Sequence, residues 1–355
     1  MTPIAVTAAE REAPAGWDAR TVSVPGGHVL QGRAWAEHRR RQGWQPWFLS
    51  FADGRAALLL SRPQPPLPGL LAYVPRGPVS HGDRPEQVAL RAAGIAEWCR
   101  GDGGTIVAVD PELQADDGYE RALAEHGFRP TEEIQPSRHR LVLSFPPVGT
   151  ADAEEQLWRG VSKGTRQRIR AAEGAGLSVA EDAEGRHLED LGTLMDATAD
   201  RRGFHFRAES GFVDWWRRVL GAGQARFFIV RHDDLLIGGL LAYLQGGHFA
   251  TAFSADRADL RDRFPGAMHL LRWTVIHQAL GAGAPAIDLG GVDVRGARGR
   301  PSEGDPSWGM YQHKASFGAE WVESAGAHER VLRPWVYRAG LGLRAIRRSV
   351  ERTRH

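Results

Sequence analysis

The residues of this chain best suited to chemistry lie in the stretch Trp308-Gly309-Met310-Tyr311-Gln312-His313-Lys314-Ala315-Ser316-Phe317-Gly318. One lysine, Lys314, is set there among aromatic residues. Ahead of it come an apolar run, Ala286-Ile287-Asp288-Leu289, a glycine pair, Gly290-Gly291, and a polar loop over 293–307. A strand, a glycine pair, a long loop and then a lysine predict a cation placed at a sheet edge. A fixed cation serves the tetrahedral oxyanion of acyl transfer, and lysine is also a compact charge for a terminal phosphate. Gln31, Trp35 and Arg39 are spaced by four, which on a helix puts them on one face. Lys163, Arg166, Arg168 and Arg170 fall in a segment, 161–170, without an acidic residue. Such a segment can meet RNA backbone or lipid pyrophosphate, or simply form a solvated basic face. Asp110, before Pro111, ends an apolar run over 105–109. A strand-end carboxylate can take the proton of an attacking amine, and a turn or helix cap is its commoner use. No Ser/His/Asp or Cys/His set stands out, and the 14 histidines show no metal spacing.

These residues need elements to position them. Over 21–60 the pattern predicts strand, helix, strand, strand, with a hairpin at Asp53-Gly54. Prolines 63, 65, 66 and 68 break the pattern before a strand over 70–74. A helix over 85–100, a strand over 105–109, a short helix over 117–126 and a strand over 141–145 complete a first unit, and Pro146-Pro147 marks its end. The second unit begins with a helix over 153–174. A strand over 177–179, helices over 187–201 and 209–220, and a hairpin of 225–230 with 235–243 follow. A strand over 248–254, a helix over 266–280 and a strand over 285–289 lead to the Lys314 stretch.

A length of 355 residues fits two domains with ample cores. The single cysteine excludes an internal disulfide framework and a cysteine-rich metal site, and it fits a reducing, cytoplasmic setting. No apolar run is long enough to span a membrane, and the first residues lack a basic-then-apolar leader pattern. Net charge is only +2, yet residues 330–355 carry eight arginines against one glutamate. Leu332, Trp335, Val336, Ala339, Leu343, Ile346 and Val350 follow helical spacing there. That tail reads either as an interfacial helix at an anionic inner membrane leaflet or as a helix packing back on the first unit.

The pattern Gly309-x-Tyr311-x-x-Lys314-x-x-Phe317-Gly318 resembles the signature of the FemABX aminoacyltransferases, which build the interpeptide bridges of peptidoglycan. The element order, repeated twice over roughly 20–330, is similar to that family's tandem acetyltransferase-like (GNAT) architecture. The resemblance implies an α/β (α+β) fold of two GNAT-like domains, each a mixed sheet flanked by helices. The Ala-, Glu- and Pro-rich start of the chain reads as a disordered lead over 1–20, and the resemblance implies a precursor-binding domain over 21–147 and an aminoacyl-tRNA-side domain over 148–325. The basic helical tail would occupy 326–355.

In function it implies transfer of an amino acid from aminoacyl-tRNA, a co-substrate, to an amine of a lipid-linked or UDP-linked muropeptide. No cofactor or metal is expected. Lys314 would be catalytic, with Asp110 a weaker candidate, and Tyr311, His313 and Phe317 would bind substrate. His313 stands where the family often has an aromatic residue. Gln31-x-x-x-Trp35-x-x-x-Arg39 resembles the family's Gln-x-x-x-Trp-x-x-x-Lys at the precursor phosphates, with Arg39 adding bidentate capacity. Arg202 and Phe206 match an arginine and a tyrosine at the precursor. The phenylalanine there, and the absence of a tyrosine beside Phe249 and Phe253, point to an acceptor other than the soluble nucleotide precursor. Two alternatives stay open: modification of a small metabolite from aminoacyl-tRNA, or an acyl-CoA-dependent N-acyltransferase. The latter would use Arg263-Phe264-Pro265-Gly266-Ala267-Met268 as its phosphate loop.

Overall fold

The apolar runs of the sequence form two mixed sheets, each in its own compact unit. A computed structural model describes residues 1–135, 137–202, 211–292 and 298–340. The first unit comprises 1–138 and the chain from 324 onward, and the second 139–323. In chain order the first unit holds β1 (Val6–Glu10), α1 (Trp17–Thr21), α2 (Arg33–Arg41), β2 (Gln45–Phe51), β3 (Ala56–Gln64), β4 (Leu67–Val74), α3 (Pro85–Gly101), β5 (Gly104–Val109), α4 (Asp117–Glu125) and β6 (Arg129–Pro130). The second holds β7 (Arg140–Ser144), α5 (Ala153–Gly160), α6 (Lys163–Gly174), β8 (Leu177–Glu181), α7 (Leu188–Arg202), α8 (Phe212–Gly221), β9 (Ala225–His232), β10 (Leu235–Gln245), β11 (His248–Asp256), α9 (Ala267–Gly281), β12 (Ala286–Asp288), α10 (Trp308–Ala315) and β13 (Glu320–Val322). The chain then returns to the first unit as β14 (His328–Val331).

Both sheets follow one plan. Their orders are β1-β2-β3-β4-β5-β14-β6 and β13-β7-β12-β11-β10-β9-β8. Each has one parallel pair among the described strands, β4 with β5 and β11 with β12. A parallel pair needs a crossover, usually a helix, and here α3 and α9 supply it. Strand β5 (Gly-Thr-Ile-Val-Ala-Val) is buried along its whole length, as expected of a strand covered on both faces. Helix α9 buries Leu270, Leu271, Trp273, Val275, Ile276 and Ala279. It is apolar nearly all round because it lies within the core.

The structure corrects five expectations. The strand expected ahead of the first helix of 21–60 is a 3-10 turn, Val29–Gln31. The lead over 1–20 is ordered: β1 pairs antiparallel with β2, Ile4 N–H donates to Leu90 O at 3.1 Å, and Trp17 is fully buried with Nε1 on Gln31 O at 2.8 Å. A Cβ at Gly94 would come within 1.8 Å of Ile4 O, so glycine lets the N-terminal strand lie against α3. The strand expected to close the first unit is β7, which pairs with β12 and β13 of the second. The helix expected over 153–174 breaks at Val161-Ser162, where the Ser162 side chain accepts from Thr165 N–H and starts α6. The tail begins with strand β14, paired with β5 and β6. Helix follows over 334–340, and the remaining tail lies outside the described residues.

Candidate active site

Lys314 sits on α10, where it is 8% exposed. Its Nζ donates to Gly291 O at 2.8 Å. The turn that receives it follows β12: Asp288 Oδ1 accepts from Gly290 N–H at 2.6 Å, and Gly290 has φ +78°. A Cβ on Gly290 would stand 3.1 Å from Lys314 Nζ and 3.1 Å from Thr251 O. The glycine pair is therefore the notch into which the lysine fits, between β12 and β11. The far end of α10 is fixed to α6: Ser162 N–H donates to Ser316 O at 2.8 Å, and Thr165 Oγ1 to Ser316 Oγ at 2.8 Å.

Lys314 lines a cavity of about 600 Å³ together with Arg168, Arg257, Arg261, His269, Arg272 and His313. The N-terminus of α9 opens into it through Pro265, Gly266 and Ala267. Gly266 has φ +89°, and a Cβ there would meet Arg168 O at 2.2 Å. Two rim arginines are neutralised by acids, Arg257 by Asp259 and Arg261 by Asp256, both in two-pronged pairs.

Deeper in the cavity, Arg272 Nε donates to His313 Nε2 at 3.2 Å and Arg272 Nη1 to Thr251 Oγ1 at 3.3 Å. An arginine can only donate. His313 Nε2 must then be an acceptor, its proton lies on Nδ1, and that N–H donates to His269 Nε2 at 3.1 Å. Arg168 Nη1 approaches the same His269 nitrogen at 3.5 Å. The chain of donors holds both rings neutral. Burial, reinforced by the neighbouring arginines, pushes His313 down to about 2 and His269 down to about 4. Burial alone lowers Arg272 to about 10.

Of the residues singled out by sequence, Lys314, His313 and Arg168 meet at this cavity. Their neighbours in the motif do not. Tyr311 is buried and stacked on Trp308 at 5.4 Å, and Phe317 is fully buried against His269 and His313. Both are packing residues rather than substrate contacts. The basic run of α6 also divides. Arg166 Nη1 donates to the carbonyls of Trp158, Arg159 and Val161, closing the C-terminus of α5. Arg170 lies over the Trp158 ring at 5.6 Å, and Lys163 is exposed at the start of α6.

In the first unit, the shared face expected of Gln31, Trp35 and Arg39 is broken, because Gln31 ends a 3-10 turn, Val29–Gln31, before α2 begins. Gln31 is fully buried. Its Nε2 donates to Pro75 O at 2.6 Å and Leu58 O at 3.2 Å, and its Oε1 accepts from Leu58 N–H at 2.7 Å. It ties β3 to the end of β4 and is a framework residue. Trp35 and Arg39 do share a helix face. The Arg39 guanidinium lies 5.3 Å from the Trp35 ring and 5.2 Å from Trp44.

Asp110 is 1% exposed, and both its oxygens are engaged, by Tyr73 OH at 2.8 Å and Arg76 N–H at 2.6 Å. Burial pushes its carboxyl up to about 7. That is the geometry of a buried turn anchor, the commoner of its two readings. Arg202 closes α7, its side chain lies outside the described residues, and so does Phe206. Sequence reading missed Arg272 and His269. The available signal was an arginine inside the apolar run Leu270-Leu271-Arg272-Trp273. No cluster of three His, Cys, Asp or Glu able to hold a metal occurs among the described residues.

A model described as an acetyltransferase (GNAT) domain matches residues 159–305, and one described as the FemAB family matches residues 17–125. The chain is 22% identical to a lipid II:glycine glycyltransferase of Staphylococcus epidermidis, over 90% of this chain and 92% of that one. It is 27% identical to the protein of that name from Staphylococcus aureus, over 61% of this chain and 53% of that one. Among solved structures it resembles FemX, with a TM-score of 0.76 and 20% identity over 94% of this chain and 99% of the other.

Proposed function

The chain belongs to the FemABX family, and we propose that it transfers an amino acid from aminoacyl-tRNA to an amine of a lipid-linked peptidoglycan precursor, forming the interpeptide bridge. The observation that carries this reading is the buried Lys314, seated in the Gly290-Gly291 notch and facing a large basic cavity. The amine attacks the aminoacyl ester carbon, a C–N bond forms, and the ribose C–O bond breaks. The amine's proton ends on the ribose oxygen of the released tRNA. Charge develops on the carbonyl oxygen between these events. A lysine already fixed and mostly dehydrated stabilises that charge without reorganising. Holding the two substrates in register supplies much of the rest. The chemistry asks for no metal or organic cofactor.

The relatives named for lipid II support a lipid-linked acceptor. The aminoacyl-tRNA donor and the lipid acceptor meet at the cytosolic face of the membrane. Trp335, 65% exposed at the head of the arginine-rich tail, is the residue best suited to touch that surface.

The test is transfer of radiolabelled amino acids from a mixed aminoacyl-tRNA pool to lipid-linked and UDP-linked precursors, with RNase-treated and acetyl-CoA controls. RNase-sensitive label on the lipid-linked precursor is expected. Label from acetyl-CoA alone would overturn the donor, and label on the UDP-linked precursor alone would overturn the acceptor.

A further inference from the structure

Two arginines are buried among the described residues, Arg91 at 1% exposure and Arg272 at 4%. Arg91 is neutralised by Asp53 and Asp83. Arg272 is held by an imidazole and a hydroxyl, both neutral, and no carboxylate pairs with it among the described residues. Burying a cation without counter-charge is costly, and a fold that does so beside a cavity leaves the counter-charge to a ligand. Asp256, an acid lining the cavity, is taken by Arg261. His313 and His269 give Arg272 a fixed direction. A phenylalanine at 313 would fill the same space and accept no hydrogen bond.

We propose that Arg272 is an anion subsite of this cavity, binding a phosphate-ester oxyanion of the donor substrate, and that His313 and His269 are positioning residues that aim it. The inference rests on the donor reading above for the identity of the ligand, not for its chemistry. A phosphodiester at the tRNA 3′ end and the pyrophosphate of CoA present the same oxyanion, and the experiment separates them.

Arg272→Gln removes the charge and keeps a donor. Thermal unfolding of the full chain is followed alone, with an RNA hairpin ending in CCA, and with CoA. KM and kcat for aminoacyl-tRNA are measured in parallel. The free variant is expected to melt no lower than the wild type, because an uncompensated charge has been removed from the interior. The RNA-induced rise in melting temperature should vanish. KM for aminoacyl-tRNA should rise by about tenfold to a hundredfold, as for loss of a hydrogen bond to charge, with kcat little changed. His313→Phe should repeat this to a smaller degree, and His313→Gln, whose amide oxygen accepts from Arg272, should restore it.

An Arg272→Gln protein that melts lower, or fails to fold, would make Arg272 part of the scaffold and overturn the proposal. So would an RNA-induced shift and a KM unchanged by the substitution. Stabilisation of the wild type by CoA and not RNA, lost in Arg272→Gln, would uphold the subsite and overturn the donor reading. No stabilisation by either would overturn the subsite even if transfer activity were present.

Discussion

Arg91 and Arg272 are equally inaccessible, yet their surroundings differ in kind. In the first unit Arg91 meets two carboxylates and the Val79 carbonyl, so its charge is settled within the fold. Other polar groups of that unit are treated alike: Gln31 satisfies backbone at Leu58 and Pro75, and both oxygens of Asp110 are occupied. In the second unit Arg272 meets only neutral partners among the described residues, and Lys314 is aimed at a carbonyl beside a cavity. Internally balanced charge holds a scaffold together. Charge left unbalanced beside a cavity is a poor way to stabilise a fold and a good way to bind an anion.

The largest effect is expected at Arg91. Arg91→Ala leaves Asp53 without its guanidinium, leaves Asp83 to Arg55 alone, and opens a cavity between α3 and the turn at Asp53. The two carboxylates are 27% and 16% exposed, so water recovers part of the loss. The expected cost is on the order of 3 kcal/mol, at the low end for a broken buried pair, read from urea unfolding. A cost as small as that of Arg272→Gln would remove the distinction between the units.

The dependence of stability on pH sharpens the contrast with a smaller effect. Asp110 holds its proton more tightly folded than unfolded, because burial has raised it from 3.8 to about 7. Its contribution is fully present below pH about 4 and is lost as the pH rises towards 7. His269 and His313 hold protons less tightly folded than unfolded, lowered from 6.5 to about 4 and about 2. Their contribution is present above pH about 6.5 and is lost as the pH falls through their folded values. Melting temperature measured against pH should therefore flatten above pH 4 in Asp110→Asn, whose amide can serve both of its partners. It should flatten below pH 6.5 in a His269→Gln, His313→Gln protein. A single slope altered by neither substitution would show that these buried groups do not set the profile.

The sequence made the two-unit architecture readable for a physical reason, whereas the cation expected at a sheet edge lies between the inner strands β12 and β11. Long apolar runs and hairpin turns are local signals, and Asp53-Gly54 formed the expected hairpin of β2 and β3. What crossed between distant segments was not readable. Strand β7 follows the first unit in the chain and pairs with the second, and β14 lies within the basic tail and pairs with β5. Side-chain direction was equally hidden. The Lys314 motif sends its lysine and His313 to the cavity and its Tyr311 and Phe317 into the core. The four-residue spacing of Gln31 and Trp35 spans a helix boundary, so it no longer reports a shared face. Arg272 carried the clearest overlooked signal, because a lone charge in a helix that is apolar nearly all round has to be answered by something.

In the proposed reaction a fixed, buried lysine stabilises the charge of the transferring acyl group. Single-turnover transfer by Lys314→Ala, with unfolding followed in parallel, tests it most directly. The transfer rate is expected to fall by about 10²- to 10³-fold, the scale of losing one preorganised oxyanion contact, in a protein that still folds and still binds RNA. A rate within a few-fold of the wild type would contradict it.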